Sequence, residues 1–221
     1  KFWRNMIATN LRKRIYTSFL LLLLLFIIYS YNLILVYSLI IFGVLSILEF
    51  LNISRKIIHN KFYLIFLNSF FVFYIFIFCF FFLYYSNFFQ LKIVLFTFLL
   101  GCIASDIGGF IFGKIFKGPK LTKISPNKTI AGAFGSIILS IAVMSYPIFY
   151  FTKSFSFLFL LVATITSIGC QLGDLLFSAL KRKAKMKDTG NIFPGHGGVL
   201  DRLDGLLLGI PVGVIFLILI Y

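Results

Sequence analysis

Long apolar runs, separated by short polar segments, dominate the chain. A helix rises about 1.5 Å per residue and the hydrocarbon core of a bilayer is about 30 Å thick, so one crossing needs about 20 apolar residues. Seven such runs can be counted along the 221 residues. The pattern predicts an all-α, polytopic integral membrane protein with about seven transmembrane helices. Composition agrees, because 61% hydrophobic and 12% charged residues would leave a water-soluble domain with too little polar surface.

Charged and turn-forming residues mark the ends of the predicted spans. The first two spans lie between Arg14 and Arg55, with a tight turn at Tyr31 and Asn32. The other five cover residues 62–85, 89–116, 129–151, 155–180 and 203–221. We divide the chain into N-terminal transmembrane helices (1–100) and a region (101–221) that carries the polar motifs and two basic loops, 113–129 and 181–202. Because the chain begins at Lys1 rather than Met, we leave open whether further residues or another span precede it.

Positive charges give the predicted spans an orientation. Lys and Arg side chains stay on the cytoplasmic side during insertion. With the amino terminus inside, the predicted cytoplasmic segments hold 19 of the 21 Lys and Arg residues, and only Lys92 and Lys153 fall on the other side. The net charge of +15 is then explained by topology and by attraction to anionic lipid or nucleotide, so nucleic acid is not an expected partner.

The carboxylates are equally one-sided. This topology puts all six at the cytoplasmic end of a span or in a cytoplasmic loop: Glu49, Asp106, Asp174, Asp188, Asp201 and Asp204. A carboxylate inside a span is costly unless it is paired, hydrated or bound to a metal, so Asp106 and Asp174 need partners. The alternative for each is an interfacial acid that pairs with a nearby lysine.

Asp201 and Asp204 are spaced i, i+3 at the predicted start of the last helix, so both side chains project from one face. Carboxylates at that spacing suit Mg²⁺, although acids also simply complement a helix amino terminus. The glycines of PGHGG, residues 194–198, would let the backbone approach a ligand and point amide groups at phosphate. With the basic run 181–188 and the second basic loop, these parts indicate phosphoryl or nucleotidyl transfer on the cytoplasmic side.

At this point the residues resemble a known family. SALKRKAKMKDTGNIFPGHGGVLDRLD, residues 178–204, is similar to the signature of phosphatidate cytidylyltransferases, also called CDP-diacylglycerol synthases. SDIGGFIFGKIFKGPKLTKISPNKT, residues 105–129, and the pair Gly173 and Asp174 resemble two further family elements, so the resemblance covers about residues 100–210. Ala131 and Phe177 stand where the family usually or often has Glu.

The resemblance implies that CMP passes from CTP to phosphatidic acid, giving CDP-diacylglycerol and pyrophosphate. Mg²⁺, with a second cation left open, would be held by Asp174, Asp201 and Asp204. The implied catalytic residues are Asp174, Asp201, Asp204, Lys187, Asp188 and Arg202. The implied substrate-binding residues are Ser105, Asp106, Lys114, Ser125, Lys128, Lys181, Arg182, His196, Gly197 and Gly198.

The expected partners are CTP, phosphatidic acid and membrane lipids, and a homodimer is left open. We expect a bacterial inner (plasma) membrane location with the active site facing the cytoplasm. Two other functions remain: a CTP-dependent polyprenol or lipid-alcohol kinase, which needs a base for a hydroxyl nucleophile, and a membrane transporter with a basic cytoplasmic vestibule. An internally repeated span pattern would favour the transporter, and the sequence shows none.

Overall fold

The computed structural model describes residues 19–122, 124–126, 128–153, 157–190, 192 and 197–220. These residues form α-helices joined by short segments, and no strand occurs among them, which confirms the all-α prediction. The helices are α1 (Phe19–Ser30), α2 (Asn32–Ile57), α3 (Lys61–Ser86), α4 (Phe89–Phe116), α5 (Ile130–Thr152), α6 (Phe157–Lys183) and α7 (Leu200–Ile220).

Six of these helices, α2 to α7, are long and apolar enough to cross a membrane. The polytopic membrane prediction is therefore confirmed for the part of the chain that the structure describes. Within that part α1 is a shorter apolar helix, and the beginning of the first predicted span lies outside the described residues. Tyr31, between α1 and α2, has an extended backbone with φ −123° and ψ 111°, so the helix is interrupted at one of the two residues of the predicted turn. The tight turn itself stays a prediction.

The chain divides into two compact units. Unit 1 comprises Lys1–Tyr84 and Lys183–Arg202, and unit 2 comprises Tyr85–Arg182 and Leu203–Tyr221. The two units are defined by packing, and their first boundary, after Tyr84, differs from the division at residue 100 that we predicted from the sequence. The predicted division concerns function and stays a prediction. Unit 1 includes an aromatic stack between Phe50 of α2 and Phe71 of α3, with ring centroids 3.8 Å apart.

Small residues set the helix packing in unit 2. A Cβ added at Gly132 of α5 would lie 2.7 Å from the carbonyl oxygen of Gly109 in α4. At the contact of α6 with α7, a Cβ on Gly169 would lie 3.2 Å from the Cα of Gly209. Small side chains let transmembrane backbones approach closely, since lipid supplies little hydrophobic drive for helix association. Close packing of α6 against α7 is what positions the polar residues described next.

Candidate active site

Two carboxyl groups meet where α6 packs against α7 in unit 2. Asp174 lies on α6 and Asp204 on α7, and the two carboxyl groups are close enough to interact, since a Cβ on Gly205, the residue after Asp204, would lie 2.9 Å from Asp174 Oδ1. The glycine beside each acid makes this approach possible, because a Cβ on Gly173 would lie 3.2 Å from the Cα of Gly205. Two acidic groups held together in a half-buried setting need positive charge nearby.

A lysine accompanies each of these carboxylates. Lys128 donates a hydrogen bond from Nζ to Asp174 Oδ2 at 2.7 Å, which is a direct ion pair. Lys181, on α6, places its Nζ 3.7 Å from Asp204 Oδ2, and both side chains are mostly buried, with 12% and 13% exposed. The four side chains therefore form a compact cluster of alternating charge, which we call the Asp–Lys cluster.

The loop between α4 and α5 is folded so that it presents Lys128. Leu121 N donates to Lys128 O at 2.8 Å, and Lys128 N donates to Ser125 O at 3.1 Å. The loop ends at the amino terminus of α5, where the Thr129 side chain accepts a hydrogen bond from Gly132 N at 3.1 Å. These hydrogen bonds fix the backbone of Lys128 at a position from which its side chain contacts Asp174.

Asp106 adds a third negative charge near the pair. It lies on α4, it contributes electrostatically at Asp204, and its Oδ1 is 3.7 Å from Cys170 Sγ on α6. Its side chain is more exposed than those of Asp174 and Asp204. The structure thus relates Asp106 to the Asp–Lys cluster, and its predicted contact with substrate stays a prediction.

The donor set of the Asp–Lys cluster suits a magnesium ion. Mg²⁺ is usually bound by one or two protein carboxylates and completes its octahedron with water and substrate phosphate oxygens. Asp174 and Asp204 supply such a pair, and a cation would relieve the repulsion between them. Across the described ranges, no group of three or more His, Cys, Asp or Glu side chains is arranged to hold a metal. The prediction that Asp201 completes a three-carboxylate set is left as a prediction.

Asp201, in unit 1, organises the segment that precedes α7. Its Oδ2 accepts hydrogen bonds from Thr189 N at 2.8 Å and from Gly198 N at 2.9 Å. The Thr189 hydroxyl lies 3.1 Å from the same oxygen. Asp201 therefore ties the two ends of the 189–198 segment together from the first turn of α7.

Glu49 is the residue that sequence reasoning left out of the candidate site. It is buried on α2, with 5% of its surface exposed. Its Oε1 accepts from Val199 N at 2.9 Å, and its Oε2 accepts from Leu200 N at 2.8 Å and from the Thr189 hydroxyl at 2.5 Å. A signal was present, since an acid inside an apolar run requires compensating partners. Which partners it has was not readable, because they are 140 to 151 residues away in sequence.

The end of the glycine motif makes contacts within the protein. The sequence predicted that amide groups of residues 194–198 point at phosphate, and of these the Gly198 amide donates to Asp201 Oδ2. The two amides that follow the motif, at Val199 and Leu200, donate to Glu49. Gly197 has φ +83°, a conformation that strongly favours glycine, and a Cβ there would lie 2.7 Å from Asp201 Oδ2. Described contacts thus explain these glycines by close packing against carboxylates. Substrate binding by Gly197 and Gly198 stays a prediction.

Three predicted substrate-binding residues have individual settings in unit 2. Ser105 is fully buried and its Oγ lies 2.8 Å from Ser167 Oγ, which joins α4 to α6. Lys114, in the last turn of α4, lies over the Phe110 ring with Nζ 5.7 Å from its centroid. Ser125 forms the turn that precedes Lys128. Of these three residues, only Ser105 is fully buried, and its hydrogen bond to Ser167 gives it a structural role as an alternative to substrate contact.

Four other predicted residues have exposed side chains: Arg182, Lys187, Asp188 and Arg202. Their exposure is compatible with contact to a soluble nucleotide or to lipid headgroups, and their catalytic or binding roles stay predictions. His196 lies outside the described residues.

Comparison with known proteins shows which family the chain is similar to. A family model described as "Cytidylyltransferase family" matches residues 3–220. A protein named phosphatidate cytidylyltransferase from Staphylococcus epidermidis is 44% identical over 130 residues, which is 58% of this chain and 50% of the relative. Another of that name from Helicobacter pylori is 41% identical over 124 residues, which is 53% of this chain and 44% of the relative. The chain spans about half the length of the curated relatives it matches.

Proposed function

The chain belongs to the cytidylyltransferase family, and we propose that it transfers CMP from CTP to phosphatidic acid, giving CDP-diacylglycerol and pyrophosphate. The names of the relatives support this choice of substrates. The observation that carries the proposal is the Asp–Lys cluster, in which two adjacent carboxylates each have a lysine partner. Such a cluster supplies the charge neutralisation and positioning on which transfer between phosphates depends.

The reaction requires little proton transfer. A phosphate oxygen of phosphatidic acid attacks the α-phosphorus of CTP and forms the new P–O bond. The bond from that phosphorus to the oxygen that bridges to the β-phosphate breaks, and its electron pair leaves with pyrophosphate. Because the nucleophile is already an anion, the site needs cations that hold two anionic substrates together more than it needs a general base.

The two lysines are suited to that task. Lys128 and Lys181 each carry a positive charge beside a carboxylate, and each can turn hydrogen-bond donors toward phosphate oxygens. Lys128 begins from the loop that ends at α5, whereas Lys181 comes from the last turns of α6. Since they come from separate elements, one substrate phosphate can be held on each side of the carboxylate pair.

Magnesium is part of the proposal. Asp174 and Asp204 would hold the ion, with Asp201 a further predicted ligand. When bound, it would neutralise the charge that develops on the phosphate oxygens during transfer. Removal of Mg²⁺ with a chelator is expected to abolish transfer, and its addition is expected to restore transfer.

We place loops 113–129 and 181–202 on the cytoplasmic side of a bacterial inner membrane, so that CTP arrives from the cytoplasm and phosphatidic acid from the bilayer. The distribution of Lys and Arg supports this orientation. Labelling of a Lys185→Cys variant by a membrane-impermeant thiol reagent should occur in inverted vesicles and be absent in intact cells. The opposite pattern would reject the orientation. A homodimer stays a prediction.

The position of a phosphorus label tests the reaction itself. Purified protein in vesicles that contain phosphatidic acid would receive CTP labelled on either the α-phosphate or the γ-phosphate. Transfer of CMP puts the α label into the lipid fraction and releases the γ label as pyrophosphate. A lipid kinase would do the reverse, putting the γ label into lipid and leaving CDP. Lipid labelled by γ-labelled CTP, or no labelled lipid with either, would reject the proposal.

A further inference from the structure

Glu49 makes contacts that its position in a membrane-spanning helix does not explain. It is buried on α2, and its two oxygens accept from Val199 N, Leu200 N and the Thr189 hydroxyl. An interfacial acid that merely reached toward water or a lysine would stay exposed. The carboxylate is instead enclosed by hydrogen-bond donors from one distant segment, residues 189–200.

Those donors lie at the amino terminus of α7. The first backbone N–H groups of a helix have no partner within it, and a carboxylate there is favoured by both hydrogen bonding and the helix dipole. Asp201 supplies a local carboxylate that accepts from Gly198 N. Glu49 supplies a second one from another helix, so that three consecutive amides, at residues 198–200, are fixed by two acids.

The walls around Glu49 fit a carboxylate closely. A Cβ on Gly190 would lie 2.7 Å from Glu49 Oε1, and a Cβ on Gly198 would collide with both carboxylate oxygens and with the Thr189 hydroxyl. Glycine at these two positions therefore lets the backbone next to Thr189 and Val199 approach the acid closely. The contact is specific in shape as well as in hydrogen bonding.

We propose that Glu49 is a positioning residue: from α2 it fixes Thr189 and residues 198–200, where α7 begins, in the conformation that the transfer reaction uses. The inference rests on the proposed function. Its physical basis is that Gly198 is a predicted substrate-binding residue, and that Leu200 begins the helix on which Asp204 lies. Loss of the Glu49 contacts leaves the chemistry of the Asp–Lys cluster unchanged but loosens these residues.

Glu49→Gln tests this with little change in size. Glutamine keeps one acceptor oxygen but replaces the other with an NH₂ group, which is a donor and cannot accept the hydrogen bond of the N–H group that faces it. At least one of the amides of Val199 and Leu200 therefore loses its partner. Thr189→Val removes the hydroxyl from the opposite side of the same contact, whereas Thr189→Ser keeps it. Ser54→Ala is the matched control on α2, since Ser54 is buried and hydrogen-bonds to Asn68 at 2.7 Å, away from the segment.

Hydrogen exchange gives a readout that is independent of activity. Exchange of the amides in residues 197–202, measured by mass spectrometry on protein in detergent micelles, should be about tenfold faster or more in Glu49→Gln, because the protecting hydrogen bonds are lost. Ser54→Ala should exchange like the wild type there. Unchanged exchange in Glu49→Gln would overturn the inference, whatever the activity of the variant. If Glu49→Gln does not fold, Thr189→Val is compared with Thr189→Ser. Thr189→Val removes the hydroxyl that contacts Glu49 and Asp201 and should exchange faster, whereas Thr189→Ser keeps the hydroxyl and should exchange like the wild type.

Kinetics then connect the contact to the reaction. Misplacement of binding groups by about 1 Å can cost about 100-fold in rate, so kcat/KM for CTP should fall about 10- to 100-fold in Glu49→Gln. The fall should be much smaller for Thr189→Ser than for Thr189→Val. Combining Glu49→Gln with Thr189→Val should cost less than the product of the two single losses, since both changes weaken the contacts around the Glu49 carboxylate. Faster exchange with wild-type kinetics would overturn the positioning role. A wild type that protects residues 197–202 but transfers no CMP would reject the proposed function while supporting the Glu49 contact.

Discussion

Gly205→Ala is expected to disable the Asp–Lys cluster without changing any charge in it. A Cβ at residue 205 would lie 2.6 Å from Cys170 Sγ and 2.9 Å from Asp174 Oδ1. Non-bonded heavy atoms prefer separations of about 3.5–4.0 Å, so both groups must retreat by roughly 0.5–1 Å. Overpacking of this size costs about 1–3 kcal/mol of stability. The accompanying shift of the Asp174 carboxylate should lower kcat/KM about 10- to 100-fold.

The assay is transfer of α-labelled CMP into lipid, with the thermal midpoint measured on the same preparation. Gly43→Ala is the matched control, because a Cβ there would lie 3.3 Å from Ile75 Cγ2 and 3.4 Å from Cys79 Sγ, which needs only small adjustments. Adding Cys170→Ala to Gly205→Ala removes the sulfur clash but leaves the carboxylate clash, so activity should stay low. Wild-type kcat/KM in Gly205→Ala would refute the reasoning, and full recovery in the double variant would assign the loss to the thiol instead.

Two further predictions concern residues whose predicted roles differ. Lys128→Met should raise KM for a substrate about tenfold or more, since a hydrogen bond to a charged group is worth about 1.5–3 kcal/mol. Lys153→Met, on the opposite predicted side of the membrane, should leave KM unchanged. Equal KM values in the two variants would mean that Lys128 serves only to orient the chain in the membrane. Ser105→Ala should lower the free energy of unfolding by about 1 kcal/mol, because the buried Ser105 hydroxyl hydrogen-bonds to Ser167. KM should stay within about twofold of wild type. A large rise in KM with unchanged stability would instead support substrate binding by Ser105.

The transmembrane architecture was readable from the sequence because the bilayer imposes a length on each apolar run. The prediction for residues 89–116 coincides with α4, and those for the third, fifth and sixth spans differ from α3, α5 and α6 by at most three residues at each end. The last helix begins at Leu200, three residues before the predicted start, because Glu49 and Asp201 cap its first amides. Capping by a side chain from another helix is a tertiary contact, which hydropathy does not report.

The candidate site was readable only in part. Sequence reasoning reached Asp174 because a carboxylate inside a span needs a partner. The family resemblance implied that Asp174 and Asp204 hold one magnesium ion and that Lys128 and Lys181 bind substrate. Which lysine pairs with which carboxylate was not readable, since the pairing depends on how closely α6 and α7 pack and on how the loop before α5 folds. The contacts of Asp201 were equally hidden from the sequence. Asp201 hydrogen-bonds to Thr189, and Asp204 lies in the Asp–Lys cluster. That both acids share one metal stays a prediction.

A double-mutant cycle on the carboxylate pair tests the central claim, that Asp174 and Asp204 act as one unit in CMP transfer. Asp174→Asn and Asp204→Asn each keep side-chain size and remove one charge, and each should lower kcat at least about 100-fold while the protein still inserts into the membrane. Because groups that build one site act together, the double variant should be scarcely worse than either single variant. A double loss equal to the product of the two single losses, or near-normal turnover in Asp204→Asn, would contradict the account.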